Sequence, residues 1–148
     1  MVRDQVIRLR QAAGLTQRQL SSLSGVAQSN IAAYESGSRR PSEQMLERLM
    51  AAAVPRPSLP LARHRVEVLA AAGRHRAHDV RVFGSVARGD DRPGSDIDLL
   101  VTFDPHASLF DQVELAHELQ ELLGVGVDVV SEGGLHEGHE ILRQARPL

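Results

Sequence analysis

The chain has 148 residues, a formal net charge of −2 at pH 7 and no cysteine, and all 17 of its basic side chains are arginine. Without cysteine there is no disulfide, thiolate zinc site or cysteine nucleophile, and without lysine there is no P-loop and no Schiff-base chemistry. The length suits two small domains, and no apolar run approaches the ~18 residues of a membrane span, so a cytoplasmic protein is expected.

The first third of the chain has the periodicity of a small helical module. Apolar residues recur at helical spacing over residues 2–13. Thr16 and Ser42 are N-cap residues that predict a second and a fourth helix, and a short third helix is expected at residues 28–34. Residues 1–53 carry a net charge of +3, whereas the remainder of the chain carries −5. The front of the molecule is therefore mildly basic.

Within this module lies the run LTQRQLSSLSGVAQSNIAAYESGSRRPS, with a turn glycine at Gly25. It resembles the Cro/repressor-type (XRE) helix-turn-helix family, in which the helix beginning near Ala27 enters the major groove. Few phosphate contacts are available to one module, so operator binding implies a homodimer with half-sites about 34 Å apart. A purely protein-binding helical module is the alternative. The resemblance implies base contacts by Gln28, Ser29 and Asn30, and phosphate contacts by Gln17, Ser38, Arg39 and Arg40.

A proline-rich stretch, AAAVPRPSLP, separates two helical patterns. Each proline biases the residue before it away from helix, so the stretch predicts a semi-stiff linker. The expected organisation is a helical domain at residues 1–53, a linker at residues 54–60 and a second domain at residues 61–148.

Alternating helical and strand patterns follow in the second domain. The predicted order is a helix at 61–76, a strand at 80–83, a turn of helix at 86–88, a strand at 97–103, a helix at 108–123, a strand at 125–130 and a helix at 137–144. Phe103 and Phe110 are predicted as core residues, and Asp90 and Asp91 as loop charges.

Three aspartates stand at or within the predicted strands. Asp96 and Asp98 open the second strand at positions i and i+2, so their carboxylates should share a face, and Asp128 is a lone acid in an apolar strand. Two such charges about 4 Å apart repel by about 4 kcal/mol at an effective dielectric constant of about 20. A cation is therefore expected between them, and Mg²⁺ suits carboxylate and phosphate oxygens.

The spacing Gly84-Ser85, ten residues, Asp96-Ile97-Asp98 resembles the minimal (MNT) branch of the DNA polymerase β-like nucleotidyltransferase superfamily. The implied fold class is an all-α helix-turn-helix domain of four to five helices, followed by an α+β domain with a small mixed sheet flanked by helices. The resemblance implies two Mg²⁺ ions on the catalytic Asp96, Asp98 and Asp128, the triphosphate of ATP or another NTP on Gly84 and Ser85, and secondary phosphate contacts by Arg88 and Ser95.

The pairing of these two modules resembles minimal nucleotidyltransferases that act as antitoxins. It implies AMP transfer to a hydroxyl of a partner HEPN-type toxin, with operator DNA as the second partner and no membrane. One alternative is a transcriptional regulator whose second domain only binds nucleotide or a partner. Another is transfer to a small molecule of the aminoglycoside type.

Overall fold

The computed structural model describes residues 2–148 and divides the chain into two compact units, the second being Pro57–Leu148. No helix in this described part of the chain has the length and apolarity that crossing a membrane requires. Each unit has its own hydrophobic core.

The first unit is a bundle of four helices around Val6, Leu20, Ile31 and Leu49, all of which are fully buried. Its helices are α1 (Val2–Ala12), α2 (Gln17–Ser24), α3 (Gln28–Ser36) and α4 (Glu43–Ala52). The predicted N-caps are confirmed: the Thr16 hydroxyl accepts from the Gln19 N–H at 3.1 Å and the Ser42 hydroxyl accepts from the Met45 N–H at 3.2 Å.

The second unit combines helices with a four-stranded sheet, so the α+β prediction is confirmed. The strand order is β3-β2-β1-β4, in which β2 is parallel to β3 and antiparallel to β1. The elements are α5 (Ser58–Arg63), α6 (Arg65–Arg74), β1 (Ala77–Phe83), α7 (Gly84–Arg88), β2 (Ile97–Phe103), α8 (Leu109–Leu123), β3 (Val127–Ser131), α9 (Glu140–Gln144) and β4 (Arg146–Pro147).

One face of this sheet forms the core of the second unit. Side chains at alternate positions, such as Val82 and Leu99, pack against Val68 of α6 and Leu115 and Leu119 of α8. Because side chains alternate across a strand, the intervening positions, Asp98 among them, point to the opposite face.

Several boundaries differ from the predicted ones. Part of the expected linker is helical, because α5 begins at Ser58 and Pro60 falls in its first turn, where proline is tolerated. The expected helix over residues 61–76 is interrupted at His64. The first strand starts at Ala77 rather than Val80, since a register shift between His78 and Arg81 obscures its alternation.

One predicted environment is wrong, and one of the predicted loop charges is buried. Phe110 is 76% exposed on the first turn of α8 instead of lying in the core. Asp91 is only 3% exposed, and its Oδ2 accepts the Ser58 N–H at 2.9 Å, so it fastens the start of α5 to the loop before β2.

Candidate nucleotide site and DNA interface

The candidate nucleotide site lies where three neighbouring strands present residues in register. Phe83 of β1 pairs with Asp98 of β2, and Asp98 pairs with Asp128 of β3. Gly84 and Ser85 follow Phe83 directly and begin α7. The register therefore brings together the Gly-Ser turn, Asp98 and Asp128, in that order across the sheet.

The backbone of Gly84 lies very close to the side chain of Asp98. Its φ of +70° lies in the left-handed region, which favours glycine. A Cβ at this position would lie 3.2 Å from Asp98 Cγ and would overlap with Oδ2. The Asp98 carboxylate is thus seated directly against the backbone of the turn.

Gly126, which the sequence analysis did not single out, seats the Asp96 carboxylate in a similar way. A Cβ at Gly126 would lie 2.9 Å from Asp96 Cγ and would overlap with Oδ1. The Gly126 carbonyl also accepts the Ile97 N–H at 2.8 Å. The carboxylates of Asp96 and Asp98 consequently rest against glycines on the two sides of β2.

The electrostatics of Asp98 show that the site has an excess of negative charge. Burial raises the pKa of its carboxyl, the charges of Asp128 and Asp96 raise it further, and Arg88 lowers it by a smaller amount. The cation of Arg81, on the same face of the sheet, is bound to Glu132 Oε2 at 2.8 Å. The Arg81 guanidinium is thus paired with Glu132.

The donor set suits a hard divalent cation. Among residues 2–148, no three or more acidic or histidine side chains are grouped closely enough to hold a metal ion by themselves. Mg²⁺ commonly takes one or two carboxylates and completes its shell with water and substrate phosphates. Asp98 and Asp128 pair in register, and Asp96 lies two residues before Asp98. Together these carboxylates provide a partial set of metal ligands of this kind.

The two predicted secondary phosphate contacts lie nearby and have partners of their own. Arg88 at the end of α7 is exposed, and its Nε is 3.3 Å from Asp90 Oδ2. The Ser95 hydroxyl accepts the Arg92 N–H at 3.0 Å, so it stabilises the loop that leads to Asp96. A phosphate contact by either side chain would require an exchange of hydrogen bonds.

The candidate DNA interface lies on the first unit, at the start of α3. Gln28 and Ser29 are exposed there. Asn30 Oδ1 accepts from Arg39 Nη1 at 2.8 Å, so a predicted base contact and a predicted phosphate contact hold each other in place. Arg40 is exposed beside this pair.

Gln17 and Ser38 have structural partners. Gln17 Nε2 donates to Glu35 Oε2 at 2.8 Å, and Arg10 Nε donates to Glu35 Oε1 at 2.6 Å. Burial would raise the pKa of Glu35, but the hydrogen bonds from Arg10 and Gln17 outweigh it and lower that pKa. The Ser38 hydroxyl lies 3.0 Å from the Ser36 hydroxyl. Together these contacts fix α1, α2 and the turn after α3 relative to the last turn of α3.

Comparison with known proteins finds a family match for each unit. Residues 68–146 match the nucleotidyltransferase domain family, over more than half of the chain. The chain belongs to this family. Residues 6–52 match a helix-turn-helix family. The second unit is thus a nucleotidyltransferase domain, preceded by a helix-turn-helix module.

Curated relatives match part of the chain. A candidate protein adenylyltransferase of Methanocaldococcus jannaschii, MJ0435, is 43% identical over 63 residues, which are 43% of this chain and 68% of the relative. The protein adenylyltransferase MntA of Thermococcus cleftensis is 42% identical over 40% of this chain and 61% of its own length. The chain thus spans about two thirds of the length of these relatives.

Solved structures agree with the fold. A candidate minimal nucleotidyltransferase is 48% identical, covers 62% of this chain and 95% of its own, and superposes with a TM-score of 0.57. A toxin-antitoxin complex with AMP-PNP contains a chain that is 21% identical, with a TM-score of 0.50 over 55% of this chain and 69% of that one. At that identity the second likeness supports the fold alone.

Proposed function

We propose that this protein transfers AMP from ATP to a hydroxyl group of a partner protein and that its helix-turn-helix module binds the operator of its own operon. The observation that carries the transferase proposal is the row of Gly84, Asp98 and Asp128. Phe83, Asp98 and Asp128 pair in register on three strands, and Gly84, which follows Phe83, lies against Asp98. The Gly-Ser turn, which we propose binds phosphate, lies at one end of this row. An exposed carboxylate lies at the other end, with a half-buried carboxylate between them.

The arrangement of Gly84, Asp98 and Asp128 suits an in-line displacement at the α-phosphorus of ATP. The acceptor oxygen forms a bond to that phosphorus, the bond to the bridging oxygen of pyrophosphate breaks, and the hydroxyl proton passes to Asp128 as general base. Asp96 and Asp98 would hold two Mg²⁺ ions, with Asp128 completing the set, and bound metal would neutralise charge on the attacking and leaving oxygens. The backbone at Gly84 and the Ser85 hydroxyl would hold the departing pyrophosphate.

The proposal that ATP is the donor and that a protein is the acceptor rests on the names of the relatives. Those from M. jannaschii and T. cleftensis carry the name of protein adenylyltransferases. A HEPN-type toxin is the acceptor that the paired modules favour, because a repressor-type module would let an antitoxin control its own expression. ATP, Mg²⁺ and operator DNA are all present in the cytoplasm, where we propose that the protein acts.

The DNA-binding part of the proposal rests on the exposed start of α3 and on the helix-turn-helix match. A single module offers few cationic side chains to phosphates, and phosphate contacts dominate affinity for DNA. We therefore propose that a homodimer binds two half-sites about one helical turn, ~34 Å, apart.

An intact-mass assay tests the transferase proposal. The protein is incubated with Mg²⁺, each NTP in turn and the purified product of the adjacent reading frame. We expect that partner to gain the mass of AMP with ATP only, and Asp96→Asn/Asp98→Asn to abolish the gain. Asp104→Asn, an exposed aspartate just after β2, is the matched control and should act as wild type.

Other results of this assay would support one of the two alternative functions. If the partner gains no mass with any NTP while the protein still binds operator DNA, the protein is a regulator and not a protein adenylyltransferase. If an aminoglycoside added to the same mixture is modified instead, the acceptor is a small molecule.

A further inference from the structure

The first turn of α8 exposes three large apolar side chains. Leu109, Phe110 and Val113 are 73%, 76% and 59% exposed, although the rest of the apolar face of α8 is buried against the sheet. Single apolar residues on a surface are ordinary, but a contiguous group marks a binding surface. We call this group of three residues the α8 apolar face.

The α8 apolar face continues into a groove that reaches the candidate active site. The groove has a volume of about 430 Å³ and lies between α8 and β3. Leu109 and Val113 line one side, and Val129 and Asp128 line the other. A molecule bound in this groove would thus contact Asp128, the residue proposed as the general base.

The order of residues across the sheet determines the side of the sheet from which the acceptor hydroxyl must approach the α-phosphorus. Gly84 lies on the β1 side of Asp98, and Asp128 lies on the β3 side. In an in-line displacement the attacking and leaving oxygens stand on opposite sides of the phosphorus. If pyrophosphate leaves at the Gly84 turn, the acceptor hydroxyl must arrive from the β3 side, which is the side that the groove opens.

The free edge of β3 is not available for pairing with a strand of the acceptor. Gln112 Nε2 donates to the Val129 carbonyl at 2.7 Å, and Gln120 Nε2 donates to the Val127 carbonyl at 3.1 Å. These side chains of α8 occupy carbonyls that an added strand would need. Docking must therefore use the side chains of α8.

The charge of α8 indicates the chemistry of the partner surface. The helix contains four acidic residues and no arginine. Asp111 and Glu114 are one turn apart beside the apolar residues, and the Glu114 side chain is 65% exposed. A partner with apolar side chains surrounded by basic residues would complement this surface.

From these observations we infer that the α8 apolar face is the docking surface for the acceptor protein and directs its hydroxyl to Asp128. The inference rests on the proposed function. The occupant is a protein with an apolar patch and a basic rim.

The test measures partner binding and AMP transfer for Phe110→Ala and Phe110→Glu, with Val66→Glu as the matched control. Val66 is 73% exposed on α6, within the same unit, so both sites tolerate the change without loss of core packing. The probe is the purified product of the adjacent reading frame, with binding measured by biolayer interferometry and transfer by initial rates at increasing partner concentration. Binding of a fluorescent ATP analogue serves as the readout of an intact nucleotide site.

We expect Phe110→Glu to weaken partner binding by about 30-fold or more, as loss of an aromatic anchor at an interface does. Phe110→Ala should have a smaller effect in the same direction. The KM for the partner should rise with kcat unchanged at saturation, and the affinity for the ATP analogue should stay at the wild-type value. Val66→Glu should match wild type in every measurement.

Three results would overturn the inference. The first is wild-type partner KM and affinity for Phe110→Glu, which refutes the docking surface but leaves the proposed function intact. The second is a change in sedimentation of the protein alone, with transfer unaffected, which assigns the surface to a second copy of this chain. The third is an absence of transfer by the wild type, which removes the proposed function and this inference together and is visible without any variant.

Discussion

At the scale of single residues, two glycines determine where the two carboxylates of the Asp-x-Asp motif lie. Gly84 is restricted both by its positive φ and by contact with Asp98. Gly126 has no such φ restriction, and the three nearest neighbours of an added Cβ are all atoms of the Asp96 carboxylate. Substitution of Gly126 therefore acts on Asp96 with little strain on the backbone.

We predict that Gly126→Ala abolishes or strongly reduces AMP transfer without unfolding the protein. A methyl group at this position would overlap with the Asp96 carboxylate, which can rotate away because it is the exposed end of a side chain. The midpoint Mg²⁺ concentration for binding of an ATP analogue should rise, and the thermal midpoint should change by no more than a few degrees.

Gly134→Ala and Gly73→Ala are suitable controls for this substitution. Neither glycine has an atom within 4 Å of an added Cβ, and neither has a positive φ. Both variants should show wild-type transfer. Wild-type Mg²⁺ dependence in Gly126→Ala would show that this residue does not position Asp96.

Asp98 provides a second prediction, which concerns pH. Its raised pKa means that ionised Asp98 destabilises the metal-free fold. This cost is absent below the ordinary pKa of aspartate, about 3.9, develops as the pH rises from that value to the raised pKa of the folded state, and is complete above it. Asp98→Asn should therefore have a higher thermal midpoint than wild type at pH 7 in EDTA, and the two should converge at acid pH.

Addition of Mg²⁺ with an ATP analogue should reverse this order, because ligand binding stabilises only the protein that binds it. A thermal shift series over pH, with and without Mg²⁺, measures both effects. Equal midpoints of wild type and Asp98→Asn across the whole pH range would contradict the prediction.

Residue spacing was enough to predict the Gly-Ser turn and the three aspartates, but not all of their neighbours. The sequence predicted Asp98 and Asp128 each as an acid at or within an apolar strand, but their pairing in register is an observation of the sheet. The contact of Gly126 with Asp96 joins residues thirty positions apart and depends on strand register, which the sequence does not specify. The burial of Asp91 depends likewise on a tertiary contact with Ser58.

At the scale of elements, N-cap residues located α2 and α4. Apolar spacing located α3, in which Ile31 and Tyr34 are buried although its N-cap residue, Ala27, makes no side-chain hydrogen bond. The same rules misplaced Phe110, because an apolar residue on a helix is predicted as core whether or not another element covers it. They also missed β4, which is two residues long and is held by pairing with β1. Short strands of this kind have no periodicity of their own.

We predict that α3 gives the protein its sequence preference for operator DNA. Gln28→Ala with Asn30→Ala should weaken operator binding and reduce its preference over random DNA, because base contacts specify sequence. Arg40→Ala should weaken binding to both DNAs alike and lower the salt dependence, as expected for a phosphate contact. Fluorescence anisotropy with operator and random duplexes at several salt concentrations measures these differences. Equal wild-type affinity for the two duplexes would contradict sequence-specific binding.

At the scale of the whole molecule, the two proposed activities occupy separate compact units. The helix-turn-helix unit ends at Arg56, and every residue of the candidate nucleotide site lies in Pro57–Leu148. The charge is also divided, since residues 1–53 are net positive and the remainder is net negative. The expected division into two domains rests on a proline-rich stretch that separates two segments with different charge and periodicity.

This separation predicts that the two activities can be removed one at a time. Substitutions at independent sites that share no partners usually have additive effects. The Gly84-Asp98-Asp128 row and the start of α3 belong to separate compact units and have no residue in common. Asp96→Asn/Asp98→Asn should therefore abolish AMP transfer with operator affinity unchanged, and Gln28→Ala/Asn30→Ala should weaken operator binding with the transfer rate unchanged. The quadruple variant should show the sum of the two defects in anisotropy and intact-mass assays. A loss of operator affinity in the transferase variant, or a change in its response when ATP and Mg²⁺ are added, would instead mean that nucleotide binding in one unit controls DNA binding by the other.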